Sequence, residues 1–250
     1  MTRLYGRRDE DISLTSVLMT WVKICGMTNL EDALVAVDAG ADAVGFVFYE
    51  KSPRRISVEA AREIIQKLPE SVEKVGVFVG ETAETVREIA EQAQLTMAQT
   101  YPDFRNPLSI PDDRFLETAL SRVIVALPAS QLRHEDSDDP DVITGFRVSH
   151  GFRDRVAAVL LDSGTSDRAG GTGKKFDWQS VVAKTDLMGR VGLRLIVAGG
   201  LTPGNVAEAI GILKPWGVDV ASGVEAKPRK KDPEKVRAFV LAVRRTEKSA

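Results

Sequence analysis

Ala43-Val44-Gly45-Phe46-Val47-Phe48, then Ser57-Val58-Glu59-Ala60-Ala61-Arg62-Glu63-Ile64-Ile65-Gln66-Lys67-Leu68, then Lys74-Val75-Gly76-Val77-Phe78-Val79: this stretch decides the fold. Its outer pieces are short runs rich in β-branched and aromatic residues, the pattern of strands. Between them Ser57 is an N-cap residue, and Val58, Ala61, Ile65 and Leu68 recur at the spacing of one helical face. Strand, helix and strand with short connections make one βα unit of a parallel sheet.

The same rhythm extends in both directions. Strands are predicted at Trp21 to Cys25, Ala43 to Phe48, Lys74 to Val79, Leu95 to Thr100, Arg122 to Leu127, Val156 to Leu161, Leu193 to Ala198 and Gly217 to Ala221. They begin roughly 28 residues apart, enough for a strand, a helix and two short loops. Further helix starts are expected at Thr28, where Glu31 completes a capping box ahead of a Leu30, Leu34, Val37 stripe, and at Thr202-Pro203 and Asp232-Pro233. Eight such units predict a single (β/α)8 TIM barrel of the α/β class over residues 21–247. A doubly wound open sheet would usually carry a glycine-rich dinucleotide turn after its first strand, and that turn is absent. The rhythm weakens at about 128–155, where His134-Glu135-Asp136-Ser137-Asp138-Asp139-Pro140-Asp141 reads as a polar surface insertion. Residues 1–20 are expected to form a disordered arm, with Met19 as an alternative start.

The 250 residues carry 34 Lys and Arg against 36 Asp and Glu, so no basic footprint points to nucleic acid or to an anionic membrane. A hydrophobic share of 43% with 28% charged residues is that of a globular chain able to build a full core. Cys25 is the single cysteine, with only His134 and His150 as further soft ligands, so neither a disulfide framework nor a Cys/His zinc site is expected. No apolar run reaches the length of a membrane span and no secretory segment opens the chain. These readings predict a cytoplasmic protein, monomeric or homodimeric, that acts on a small molecule without metal or organic cofactor.

Reactive groups in a parallel barrel sit at the C-terminal strand ends. Strand one closes on Lys23-Ile24-Cys25-Gly26, and its two-residue period sets Cys25 and Lys23 on one face with Val22 and Ile24 on the other. If the latter pair meets the helices, Cys25 points into the mouth, as a buried small hydrophobe or as a base or nucleophile if a cation lowers its pKa. Strand six closes on Leu160-Leu161-Asp162-Ser163. Asp162 is either a loop-tightening residue or, shielded from water at the mouth, a proton donor near neutral pH. Gly170-Gly171-Thr172-Gly173-Lys174, Gly199-Gly200 and Ser222-Gly223 follow strands six, seven and eight. Glycines there let backbone N–H groups approach a phosphate. Arg54, in Lys51-Ser52-Pro53-Arg54-Arg55, can hold a carboxylate through paired hydrogen bonds or stand as a solvated turn residue.

Taken in order, Val22-Lys23-Ile24-Cys25-Gly26-Met27-Thr28, Gly40 to Tyr49 with Ser52-Pro53-Arg54, Val75-Gly76-Val77-Phe78-Val79, Leu160-Leu161-Asp162, Gly170 to Lys174 with Phe176-Asp177-Trp178, Ala198 to Pro203 and Val218 to Glu225 resemble the phosphoribosylanthranilate isomerases of tryptophan biosynthesis. The resemblance runs from about Trp21 to Arg245. It implies an Amadori rearrangement of N-(5-phosphoribosyl)anthranilate to 1-(2-carboxyphenylamino)-1-deoxyribulose 5-phosphate. By that resemblance Asp162 is the general acid and Cys25 the general base. Arg54 holds the anthranilate carboxylate, and Gly171, Thr172, Gly173, Gly199, Gly200, Ser222 and Gly223 line the phosphate site. Two departures stand out. The family's usual Gln-Leu-His-Gly after strand four is here Gln99-Thr100-Tyr101-Pro102, and the lysine that often ends strand five is replaced within Val125-Ala126. The alternatives are an isomerase for a related phosphoribosyl compound and a phosphosugar-binding barrel without turnover.

Overall fold

The computed structural model describes residues 19–102, 122–129, 142–143, 146–147, 155–163, 177–182, 188 and 192–247. Eight parallel strands close into a barrel: β1 Trp21–Cys25, β2 Ala43–Val47, β3 Glu73–Val79, β4 Met97–Tyr101, β5 Val123–Pro128, β6 Val156–Asp162, β7 Leu195–Val197 and β8 Gly217–Val220. Each strand pairs with its sequence neighbours, and the ring closes through β1 against β8, with Trp21 opposite Gly217 and Lys23 opposite Asp219. The described helices are α1 Leu30–Asp38, α2 Val58–Ile65, α3 Ala83–Ala93, α4 Val206–Leu213 and α5 Pro233–Glu247. Among the described residues no helix is long and apolar enough to cross a membrane. The arm at 1–18 and most of the predicted insertion lie outside the described residues, apart from the short antiparallel pair Val142–Ile143 with Phe146–Arg147.

The two-residue period of each strand divides the apolar side chains into two cores. Val22, Ile24, Val44, Phe46, Phe78, Val123, Val125, Val159, Leu161 and Val197 face outward against Ala33, Ala61, Val86, Val206 and Phe239 of the helices. Ala43, Val75, Val77, Met97, Ile124, Ala126, Ala158, Leu160 and Ile196 fill the barrel interior together with Cys25 and Tyr101. Val22 and Ile24 therefore do meet the helices, and Cys25 does turn inward. Burying a Val, Leu, Ile or Phe side chain is worth about 1.5–3 kcal/mol. A register slip of one residue in β1 would exchange that burial for solvent exposure and turn Cys25 outward.

Of the four expected helix starts, two hold and two shift. Ser57 Oγ accepts from Ala60 N at 3.2 Å, and Asp232 Oδ1 accepts from Glu234 N and Lys235 N ahead of Pro233, both as the cap pattern predicts. Thr82 caps α3 in the same way. At α1, however, the cap is Asn29, whose side-chain oxygen accepts from Asp32 N at 2.9 Å, while Thr28 Oγ1 donates to Arg229 O. The buried face of the helix also differs from the expected Leu30, Leu34, Val37 stripe. Ala33 and Ala36 become its core face, and Leu34 lies exposed. Small alanines let α1 sit close to the barrel wall, which the longer Leu34 would prevent. Thr202-Pro203 opens a turn instead of a helix. Asn205 Oδ1 accepts from Thr202 N at 2.7 Å, its Nδ2 donates to Gly200 O, and α4 starts three residues later than expected, at Val206.

The C-terminal helix locks the N-terminal end of the ring. Arg244 donates to Thr20 O, Gly40 O and Asp42 Oδ2, and Asp42 Oδ2 also accepts from Val22 N. Trp21 and Trp216 stack beneath the interior with ring centroids 5.2 Å apart. With that end closed, the opposite end is the one open to chemistry.

Candidate active site

β1 and β8 deliver an ion pair directly beneath the mouth. Lys23 and Asp219 are cross-strand partners on the inner face, and Lys23 Nζ donates to Asp219 Oδ1 at 3.0 Å with the lysine fully buried. Two residues further along β1 stands Cys25, opposite Gly45 of β2. A Cβ on Gly45 would lie 2.7 Å from Cys25 Sγ and 3.0 Å from Lys23 Cε, so a glycine at this inward position is what gives both side chains their room. The Gly45 carbonyl then accepts from Gly26 N and Met27 N at 2.9 and 2.8 Å, fixing the turn that follows Cys25.

The charges act on the thiol in opposing directions. Burial works against the Lys23 ammonium, but Asp219 and Cys25 outweigh it and hold its pKa above the ordinary lysine value. Burial pushes the Cys25 thiol up, the adjacent Lys23 cation and a hydrogen bond from it pull down, and Asp219 pushes up again, for a net rise. The cation that a thiolate would require is thus present. Desolvation still wins, and the resting thiol keeps its proton.

Arg54 lies over Gly26, where a Cβ would come within 2.5 Å of the arginine Cδ. Its Nε and Nη2 donate to Glu225 Oε1 and Oε2, each at 2.8 Å, in a buried side-on fork. Glu225 also accepts from Lys231 Nζ at 3.3 Å, and Lys231 Nζ donates to Ala221 O. Burial would raise the Glu225 carboxyl, but Arg54 and Lys231 hold it below the usual range. The sequence pattern suggested that Arg54 offers a paired hydrogen-bond edge to a ligand. One edge belongs to Glu225, which leaves the end-on edge formed by Nη1 and the second Nη2 hydrogen for a carboxylate.

Across the barrel, Asp162 closes β6 in a nearly dry position, 3% exposed. Tyr101 at the end of β4 donates its hydroxyl to Asp162 Oδ2 at 3.0 Å. Ser163 Oγ approaches Oδ1 at 3.5 Å. Burial first, then the charges of Asp162, Asp219 and Cys25, push the Tyr101 phenol well above its ordinary value. The phenol is therefore within electrostatic reach of both Cys25 and Asp162. Tyr101 read in the sequence as a lost histidine; in the fold it is the partner of the carboxyl group.

Of the residues expected at a phosphate, Gly171, Thr172 and Gly173 lie outside the described residues. The others are brought together. Gly199 and Gly200 take φ of +83° and +69°, and a Cβ on Gly199 would collide with Ser163, so the turn after β7 needs glycine for both conformation and contact. A Cβ on Gly223 would run into the Leu201 carbonyl, so the Ser222–Val224 turn packs against the Gly199-Gly200 turn. Lys23, Asp219, Glu225 and Lys231 are members of the site that the motif reading passed over. The signal was available for the first two, because a charged residue on the inward face of an otherwise apolar barrel strand must find an opposite charge.

The arrangement offers a thiol beside a buried cation, a carboxyl group held by a phenol, a clamped guanidinium and two tight glycine turns at one barrel end. Known proteins resemble the chain that carries it. The family model of N-(5'phosphoribosyl)anthranilate (PRA) isomerase matches residues 22–104 and 137–242. The N-(5'-phosphoribosyl)anthranilate isomerase of Pelobacter propionicus is 42% identical over 231 residues, covering 91% of this chain and 97% of that protein. The crystal structure of phosphoribosyl anthranilate isomerase from Thermotoga maritima superposes with a TM-score of 0.73 at 40% identity, covering 90% of this chain and 99% of that one. A second solved structure of such an isomerase, in complex with reduced 1-(o-carboxyphenylamino)-1-deoxyribulose 5-phosphate, superposes at 0.70 with 38% identity over 90% and 99% of the two chains. With matches of this extent laid over a closed eight-stranded barrel, the chain belongs to the phosphoribosylanthranilate isomerase family.

Proposed function

We propose that this chain converts N-(5'-phosphoribosyl)anthranilate to 1-(2-carboxyphenylamino)-1-deoxyribulose 5-phosphate in tryptophan biosynthesis, with Asp162 as general acid and Cys25 as general base. The observation that carries the assignment is that both groups end inward-facing strands at the same barrel end, with the Tyr101 phenol in reach of each. Asp162 gives its proton to the ribose ring oxygen, and the C1–O bond breaks to a protonated imine. That cation acidifies C2 and adds positive charge near Cys25, so the thiol releases its proton to solvent and the thiolate, though of modest basicity, removes the C2 proton. The Cys25 thiol so formed protonates C1 of the enolamine and the C2 hydroxyl proton passes to the Asp162 carboxylate, giving the ketone and restoring the acid, and the thiolate takes back a proton from solvent as product leaves. Each proton transfer by a positioned side chain is worth about 10²–10⁴-fold.

Arg54, fixed by Glu225, meets the anthranilate carboxylate with its remaining edge. Gly199, Gly200, Ser222 and Gly223, with Gly171, Thr172 and Gly173, take the phosphate. Binding energy at these two ends aligns the pentose carbons between acid and base. The acting form is a cytoplasmic monomer or homodimer. Complementation of a tryptophan auxotroph lacking this isomerase tests the function: growth is expected, and a well-expressed chain that fails to restore it overturns the reading. Binding of the fluorescent substrate without its consumption would identify a phosphosugar-binding barrel instead.

A further inference from the structure

Tyr101 is 7% exposed and points into the barrel interior from the last position of β4. It accepts from Gln99 Nε2 at 3.3 Å and donates to Asp162 Oδ2 at 3.0 Å, so three side chains form a one-way chain of donors. Gln99 is 1% exposed, and its Oε1 has no hydrogen-bond partner among the described residues. An amide that leaves its own oxygen unmet while spending its N–H on a phenol fixes the phenol's direction. The single hydroxyl proton must point at Asp162.

We propose that Tyr101 is the positioning residue of the general acid, holding Oδ2 of Asp162 so that the transferred proton is carried on Oδ1. This rests on the assignment of Asp162 as acid. The donated hydrogen bond does two things. It fixes the plane of the carboxyl group, and it favours the anion left behind when the proton has gone, which makes Asp162 a readier donor. The phenol itself stays protonated because burial holds its pKa high, so it donates at every working pH. The charged and titratable groups around it are Asp162 from β6, Cys25 and Lys23 from β1 and Asp219 from β8. Beyond Cys25 stand Lys231, Arg54 and Glu225. The strands β2, β5 and β7 bring no ionisable side chain, and Glu73 and Lys74 of β3 are engaged at the far end with Arg122, Thr96 and Pro69. Among the described residues the Tyr101 hydroxyl is the donor on Oδ2 of the carboxylate, and the Ser163 hydroxyl lies on Oδ1. The family's usual residue here is a histidine, whose ring N–H can make the same donation.

The test compares kcat and KM across pH for the parent, Tyr101→Phe and Tyr101→His. Tyr101→Phe is expected to lose roughly tenfold in kcat with KM within about twofold, and the descending alkaline limb of kcat, where the acid loses its proton, is expected to move up by about one pH unit. Tyr101→His is expected to recover most of the loss. Parental kcat with an unmoved limb in Tyr101→Phe overturns the proposal. So do equal losses in both variants with the limb in place, the behaviour of a merely disturbed core. The carboxyl carbon resonance of Asp162, assigned by its disappearance in Asp162→Asn, separates this inference from the assignment of the acid. A titration midpoint that rises in Tyr101→Phe upholds the contact whether or not Asp162 proves to be the acid, and one that stays put ends it.

Discussion

Lys23, Asp219 and Cys25 meet on the β1–β8 side of the mouth as two formal charges and a thiol, whereas on the β4–β6 side, among the described residues, Asp162 accepts from the uncharged Tyr101 phenol, which the Gln99 amide holds in turn. The difference follows the work asked of each side. A base must be ionised to act, and a thiol removed from water ionises only beside a cation. An acid must begin neutral and end ionised, which neutral donors permit without forcing ionisation beforehand. Buried charge is costly unless paired, so the cation for Cys25 has to bring Asp219 with it. The acid side carries no such obligation.

The sharpest way to break this comparison is to remove either reacting group. Cys25→Ala and Asp162→Asn are each expected to lower kcat about 10³-fold or more, with circular dichroism and melting behaviour close to the parent. Turnover of the fluorescent substrate measures the first and thermal scans the second. Full activity in either variant removes the division into base side and acid side.

Next in size is the cation. Lys23→Met leaves Asp219 buried without its partner, and breaking a buried pair from one end costs about 3–5 kcal/mol. It also removes the main group that pulls the Cys25 thiol down, leaving only the weaker pull of Lys231 among the charges described, while Asp219 still pushes it up. The thiolate forms later, so the ascending limb of kcat against pH is expected to move to higher pH by at least about one unit. The double variant Lys23→Met with Asp219→Leu is expected to recover most of the stability but not the limb, because it cures the orphaned charge without restoring the cation. Urea denaturation and pH–rate profiles read the two effects separately.

Smaller again is the loss of the clamp on Arg54. Glu225→Gln keeps the shape but exchanges a charge-assisted fork for a weaker one, and KM is expected to rise roughly tenfold with kcat nearly unchanged. The clamp also has a pH signature. Glu225 has a depressed pKa, so its contribution to stability is present above the ordinary carboxylate value and is lost as pH falls through the lowered one. The parent is expected to lose stability over that acid range more steeply than Glu225→Gln, as measured by melting temperature against pH.

How far the sequence could be read differs from one part of the molecule to another, for physical reasons. The eight strands and the inward turn of Cys25 were legible because a buried strand shows its period in five or six residues. Bounds at α1 and α4 were not. Thr28 and Asn29 are both good caps, as are Thr202 and Asn205, and tertiary contacts choose between them: Thr28 is claimed by Arg229 O, and Asn205 is spent on closing the Gly200 turn. Cys25, Asp162 and Arg54 stood in recognisable motifs. Their supports did not. Glu225 holds Arg54 across 171 residues of chain and Tyr101 holds Asp162 across 61, and no local pattern reports a partner so distant. Lys23 and Asp219 lie 196 residues apart, but as charges on apolar barrel strands they were the pair most open to inference.

The smallest expected effect tests how the base side is propped from behind. Asn29 caps α1 and donates to Asp32 Oδ2 at 3.0 Å. Asp32 in turn accepts from Lys231 N at 2.7 Å and from Lys230 Nζ at 2.8 Å, tying the start of α1 to the short strand that carries Lys231 toward Glu225 and Arg54. Asn29→Ala is expected to cost about 1 kcal/mol, the usual worth of a cap. Thr28→Ala, which loses one exposed bond to Arg229 O, is expected to stay within about 0.5 kcal/mol. Denaturant midpoints decide between the two residues as the true cap. Neither change is expected to alter kcat, because the turn after Cys25 is fixed by the Gly45 carbonyl and the thiol is set by Lys23, not by α1. A loss of kcat in Asn29→Ala that equals its loss in Lys23→Met would mean that the helix start, rather than the ion pair, sets the thiol, and the contrast between a charged side and an uncharged one would then have to be redrawn.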